Sequence, residues 1–262
     1  MLREITLGQY YPVKSAVHAL DPRTKLAGTL VFLISLFVTD SIRGYILATV
    51  FLFFVIKCSK VPFKFMTKGL RAVLAVLLIS VSFNIFLTEG TPVFTLGPLK
   101  ATKEGLGIAA FMALRLCYLV IGSSVLTLTT TPNELTGGLE TGLSFLSKLH
   151  VPVHEIAMMM SIALRFIPIL CEEADKIMKA QTARGADFES GGLIQKAKSL
   201  IPILIPLFIS AFRRASDLAL AMEARCYHGG EGRTRMKPLK YKKNDAAAYI
   251  ILAVYLVIMF II

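Results

Sequence analysis

Residues 72–88, AVLAVLLISVSFNIFLT, run for 17 positions without one charged side chain. A run of this length and apolarity is read as a membrane span rather than a core strand or a surface helix. Working outward, Gly105 to about Thr129 forms a second long apolar block, broken only by Arg115. Ala246–Ile262 supplies another 17 apolar residues. Nearer the start, Leu26–Thr39 and Gly44–Ile56 offer 14 and 13 uncharged residues on either side of a turn with Asp40 and Arg43. Those two are short for a bilayer, with a buried soluble hairpin as the alternative, but they are read as a transmembrane hairpin. Basic residues at their open ends (Arg23, Lys25, Lys57 and Lys60) can snorkel and lengthen each span. The expectation is an all-α polytopic membrane protein with about five transmembrane helices.

Composition agrees. Of 262 residues, 55% are hydrophobic and only 18% charged, and the apolar residues are gathered into blocks. The net charge of +12 would suit either nucleic acid or an anionic membrane surface. Its placement favours the membrane. With five spans, the N-terminus, the loop 57–71 and the region 130–245 fall on one side and carry 4, 5 and 16 Lys and Arg. The opposite side carries only Arg43, Lys100 and Lys103. Positive residues collect on the cytoplasmic side, so the N-terminus is expected inside and the C-terminus outside a multi-pass cell membrane protein. The polar stretch Met1–Lys25 gives no expectation of a cleavable signal peptide. The basic tract of Arg233, Arg235, Lys237, Lys240, Lys242 and Lys243 reads as an anchor beside the last span, with no nucleic-acid partner expected.

The expected organisation is a membrane domain over 1–129 with four spans, a cytoplasmic domain over 130–245, and a last span over 246–262. The middle region alternates apolar stretches with charges at helical spacing. Thr131 reads as an N-cap, with Pro132 and Glu134 in the first turn of a helix reaching about Lys148. A long helix is expected over Val153–Arg184, closed by Gly185 as a left-handed cap. After a turn at 187–192, a second runs over Leu193–Arg225. The two endings resemble each other: a shift of 41 residues places Ala174, Ala180, Ala183 and Arg184 on Ala215, Ala221, Ala224 and Arg225. Each ending puts a guanidinium in the last turn of a long helix. There it either complements the helix dipole or grips a partner's carboxylate or carbonyls. Glu172 and Glu173 on the first helix are opposite in sign to Arg213 and Arg214 on the second, and would pair if the helices cross. Met158, Met159 and Met160 suit either ordinary apolar packing or a surface that repacks against several partners.

In these residues the sequence resembles the transmembrane coupling subunit, or T component, of energy-coupling factor transporters for vitamins and metals. The resemblance spans nearly the whole chain. It is carried by Leu20-Asp21-Pro22-Arg23-Thr24-Lys25-Leu26, by Ala163-Leu164-Arg165-Phe166-Ile167-Pro168, by Ala180-Gln181-Thr182-Ala183-Arg184-Gly185 and by Ala221-Met222-Glu223-Ala224-Arg225. Cys226 stands where the family usually has Gly, Ala or Ser. The resemblance implies two cytosolic ABC-type ATPases, a substrate-binding S component, and long coupling helices crossing in an X. It also implies that Arg184 and Arg225, flanked by Ala183, Gly185, Ala224 and Cys226, each sit in a groove on one ATPase. Met158–Met160 then become an S-component contact.

Catalytic chemistry is not expected. There is no GxxxxGK[ST] phosphate loop, so ATP hydrolysis would reside in partners. His150 and His154 lie four apart without an HExxH glutamate, and the cysteines have no CxxC spacing, so neither metal nor cofactor is expected. Arg115 is the one charge inside a span. It would face the bundle interior or a partner, or snorkel toward water. Two other classes compete: a secondary transporter, which needs more spans and paired polar groups at the midplane, and a membrane enzyme, which needs convergent acid, base or metal residues.

Overall fold

The computed structural model describes residues 10–39, 41–96, 99–188, 192–229 and 238–262. Asp40 of the first turn, residues 189–191 of the 187–192 turn, and Arg233, Arg235 and Lys237 of the basic tract lie outside them. The described chain is almost wholly helical: α1 Pro22–Val38, α2 Ile42–Ser59, α3 Phe63–Met66, α4 Lys68–Leu87, α5 Lys103–Thr129, α6 Pro132–Gly142, α7 Val153–Ala183, α8 Leu193–Ala224 and α9 Lys243–Ile261. A short antiparallel hairpin, Pro92–Leu96 with Leu99–Thr102, joins α4 to α5. Reading apolar blocks does not detect it. α6 stops at Gly142, and a 3-10 turn follows over Ser144–Leu149, short of the single helix expected to Lys148.

Contacts divide the chain into two compact units, one of residues 8–138 with 239–262 and the other of 139–238. In the first, α5 packs against α1, α2, α3 and α4, and α9 lies against α1 and α2. Its core is Phe32 and Leu36 of α1, Ala48 and Leu52 of α2, Ile121, Val125 and Leu128 of α5, and Tyr255 of α9, with Val61 and Met66. The Phe51 and Tyr255 rings stack at 4.4 Å. The Tyr255 hydroxyl finds Ser35 Oγ at 2.8 Å, so the ring's polar tip is satisfied in an apolar setting. Gly122 makes this packing possible, because a Cβ there would lie 2.8 Å from the Phe32 ring. On the outside, Ile34, Phe37, Ile46, Phe53, Val76 and Phe83 are all exposed. A continuous apolar exterior of this extent belongs in lipid.

By length and composition, six helices could cross a membrane: α2, α4, α5, α7, α8 and α9. α1, at 17 residues, is one turn shorter than α4. α7 qualifies through its apolar N-terminal half and α8 through its uncharged middle over 199–212, while charges gather in the C-terminal half of α7 and at both ends of α8.

One polar knot ties this unit together. Asp21 caps α1 by accepting the Arg23 N–H at 3.0 Å. The Asp21 N–H donates to Asp245 Oδ1 at 2.7 Å, and Asp245 Oδ2 accepts the Lys242 N–H at 2.8 Å, closing the start of α9. Lys25 Nζ donates to the Thr129 carbonyl at the end of α5 (2.9 Å) and to the His18 carbonyl (3.1 Å). Asp245 is only 1% exposed. Replacing it with Ala should strand the buried Asp21 N–H and free the partly buried Lys242 N–H, at a cost of about 1–3 kcal/mol. The check is thermal unfolding in detergent, with a midpoint lowered by several degrees expected; an unchanged midpoint would mean the knot is idle.

Candidate functional site

The unit of residues 139–238 is built on two long helices. α7 has 31 residues and α8 has 32. They pack antiparallel: Glu173 meets residues 210 and 214, whereas Gln181, two turns further along α7, reaches back to Pro202. At the contact, Glu173 Oε2 accepts from Arg214 Nη2 at 2.7 Å and Oε1 accepts from the Ser210 hydroxyl. Both oxygens of one carboxylate are thus used between the helices. Of the four charges with complementary signs, the structure joins Glu173 to Arg214, while Glu172 and Arg213 are exposed. Ser210 carries no charge, so sign matching alone could not find it.

Proline explains a second cross-helix bond. Pro206 has no N–H, so the Pro202 carbonyl, four residues earlier, lacks its helical donor. Gln181 Nε2 donates to that carbonyl at 3.4 Å. Gln181 belongs to the quoted 180–185 motif, and its local role becomes visible only once α8 lies beside it.

The two helix ends have the same backbone construction. In α7, the Gly185 N–H bonds to the Thr182 carbonyl at 2.9 Å and the Ala186 N–H to the Gln181 carbonyl at 3.0 Å. In α8, the Cys226 N–H bonds to Glu223 at 2.8 Å and the Tyr227 N–H to Met222 at 3.0 Å. This is the Schellman closure, written twice with an offset of 41 residues. Arg184 and Arg225 are the C-cap residues, with φ of −88° and −94°, and both are exposed. Ala183 and Ala224 precede them as exposed last helical residues. The following residue must turn left-handed: Gly185 does so at φ +87°, and Cys226 at φ +55°. Each Arg lies eleven residues beyond a member of the Glu173–Arg214 pair, about 17 Å of helix.

Elsewhere, Met159 and Met160 are exposed and Met158 is partly covered. On α8, Ile201, Leu204, Ile205, Phe208, Ile209 and Phe212 line an open apolar groove. His154 Nδ1 pairs with Glu140 Oε1 at 2.9 Å. Arg115, in the other unit, turns inward: its Nε donates to the Tyr45 hydroxyl at 3.0 Å and its Nη2 to the Thr39 carbonyl at 3.2 Å.

Fold and site together define an all-helical, multi-pass membrane protein whose polar features are helix ends and cross-helix ties. Comparison with known proteins sharpens that class. Residues 13–236 match the family described as cobalt transport protein. The energy-coupling factor transporter transmembrane protein EcfT of Clostridium kluyveri is 57% identical over 250 residues, covering 95% of this chain and 93% of that protein. Proteins of the same description from Bacillus subtilis (45% identical; 99% and 98% covered) and Acidaminococcus fermentans (45% identical; 100% and 98% covered) match over essentially full length. The chain belongs to this family, as a transmembrane component of energy-coupling factor transporters.

Two stability outcomes follow from the caps. Cys226→Gly should stabilise the protein and Gly185→Val destabilise it, each by about 1 kcal/mol, since only Gly adopts the left-handed turn without steric cost. Thermal midpoints that shift in the same direction for both would contradict this. Reversing one charge of the pair, by Glu173→Arg or Arg214→Glu, should lower the midpoint by a few degrees. The double reversal should recover much of the loss in a double-mutant cycle.

Proposed function

We propose that this chain is the coupling subunit of an importer for a vitamin or metal. Two cytosolic ABC-type ATPases supply the work, and an S component in the same membrane binds the substrate and sets its identity. The chain itself catalyses nothing. It sits in the cytoplasmic membrane with its N-terminus inside and its C-terminus outside, and α7 and α8 lie at the cytoplasmic face. The positive-residue imbalance and the charged C-terminal half of α7 support this placement.

The observation that carries the reading is the pair of matching caps, each offering one exposed Arg at an equal distance from the crossing point. Antiparallel helices send their C-terminal ends in opposite directions, so the two guanidiniums fall on the order of 33 Å apart along the pair. Such a separation suits two partner molecules, each gripping one tip through bidentate bonds to carboxylate or carbonyl oxygens. ATP-driven approach of the ATPases then displaces one rod against the other about the Glu173–Arg214 contact. Met158–Met160 and the open groove on α8 carry that displacement to the S component through apolar, deformable contacts.

Affinity purification of the tagged chain from its native membrane should bring down two ATPases. Replacing Arg184 and Arg225 together with Ala should reduce ATP-dependent uptake to background while the chain still accumulates in the membrane. Undiminished uptake by the double variant would overturn the coupling role. Reporter fusions should place the C-terminus outside the cytoplasm.

A further inference from the structure

Within the membrane unit, α1, α2, α5 and α9 leave a cavity of about 370 Å³ between them. Its wall is almost wholly apolar, with Val125 of α5 and Leu252 of α9 in it and the small Gly28 and Ala248 leaving room. Polar residues in the lining include Thr24, Lys25 and Asn244 at the starts of α1 and α9 and Thr129 at the end of α5, with Thr29, Cys58 and Tyr249 within one or two turns of those helix ends. Phe54 and Ile251 also line it, and these side chains are 48% and 42% exposed on the apolar exterior. The cavity therefore opens toward hydrocarbon and ends in a polar cap. A helix, 10–12 Å across with its side chains, is too thick for it. Water gains little from such walls, because it needs several polar partners.

Charge at the polar end is specific in sign. Arg23 lies there with its guanidinium 5.2 Å from the Tyr241 ring centre, and Lys240, Lys242 and Lys243 lead into α9. Lys25, buried and already donating to the Thr129 and His18 carbonyls, adds a fifth positive charge behind the rim. The facing carboxylates are three. Asp245 is turned to backbone N–H groups, Asp21 accepts the Arg23 N–H and lies 3.7 Å from the Arg23 Nε, and Glu134 caps α6 by bonding the Thr131 N–H at 3.2 Å. Among the described residues this leaves the lysines leading into α9 as the unpaired charges of the rim. A net positive rim above an apolar slot matches a molecule with an acidic head and a hydrocarbon tail.

We propose that the cavity holds one acyl chain of an acidic phospholipid, whose phosphate lies against the cationic rim at the starts of α1 and α9. The lipid fills a void among four helices that their own side chains do not close. The site rests on the membrane location of this unit and is independent of the coupling role of α7 and α8.

Gly28 gives a clean test. A Cβ at Gly28, in the cavity wall, would meet no atom within 4 Å, so Gly28→Leu adds bulk at the cavity from an open position. Gly107, exposed on α5 and equally open, is absent from the cavity wall and supplies the matched control Gly107→Leu. The full chain is reconstituted into vesicles containing a phospholipid with a diazirine in its acyl chain, irradiated and mapped by peptide mass spectrometry. The head group of the probe is either phosphatidylglycerol or phosphatidylcholine. Labelling of α1, α5 and α9 residues in the cavity should be several-fold stronger with phosphatidylglycerol. It should persist in Gly107→Leu and fall to the level of the exterior in Gly28→Leu. Undiminished cavity labelling in Gly28→Leu, or equal labelling by the two lipids, would overturn the proposal.

Discussion

The structure depends on one constraint: in hydrocarbon, the carbonyls at a helix's last turn have no water to turn to. The chain meets this with its cations. Arg115 reaches the Thr39 carbonyl at the end of α1, and Lys25 reaches the Thr129 carbonyl at the end of α5. Both are charges that an apolar bundle would ordinarily reject. They persist because each satisfies a backbone group that would otherwise be stranded, and because carbonyl oxygens partly repay the lost hydration. In α7 and α8 the last carbonyls are satisfied by the backbone itself, through paired Schellman bonds. Closure by backbone leaves the side chain at the cap uncommitted. That is why Arg184 and Arg225 are exposed while Lys25 is buried.

N-terminal ends follow matching logic. Asp21, Ser41 and Thr102 each accept an N–H from the first turn of the helix they precede, and Thr131 and Glu134 cap α6 reciprocally. Asp245 does this work inside α9 while also bonding the N–H of Asp21. The start of the first helix and the start of the last are thus held by one carboxylate, across 224 positions of sequence. Position along the chain and position in the bundle are uncoupled at this point, and the knot is what joins them.

Much of this was legible in the residues. Apolar runs located α2, α4, α5 and α9, because a span needs nothing but length and hydrophobicity. Thr131 and Gly185 announced their caps through local chemistry that needs no neighbour. The repeated Ala–Arg endings were visible as sequence and prove to share a backbone. Other features hid for definite reasons. Asp245, Ser210 and the Thr129 carbonyl act over separations at which sequence spacing carries no information. Arg115 could be seen as anomalous, but its partners, Tyr45 and the Thr39 carbonyl, are 70 and 76 positions away. α7 and α8 run as the residues suggested, each ending one position before its Arg. Proline at 168, 202 and 206 removes a bond without ending a helix when the surrounding turns hold.

Those prolines give the two rods different mechanical characters. α7 lacks one internal rung, at Pro168, and α8 lacks two, four residues apart at Pro202 and Pro206. Missing rungs concentrate compliance, so α8 bends most easily between the turn before Pro202 and the turn after Pro206. Gln181 grips the Pro202 carbonyl inside that stretch. A pull on the Arg225 end therefore meets a stiff segment first and a spring behind it, while a pull on the Arg184 end acts directly on the residue that braces the spring.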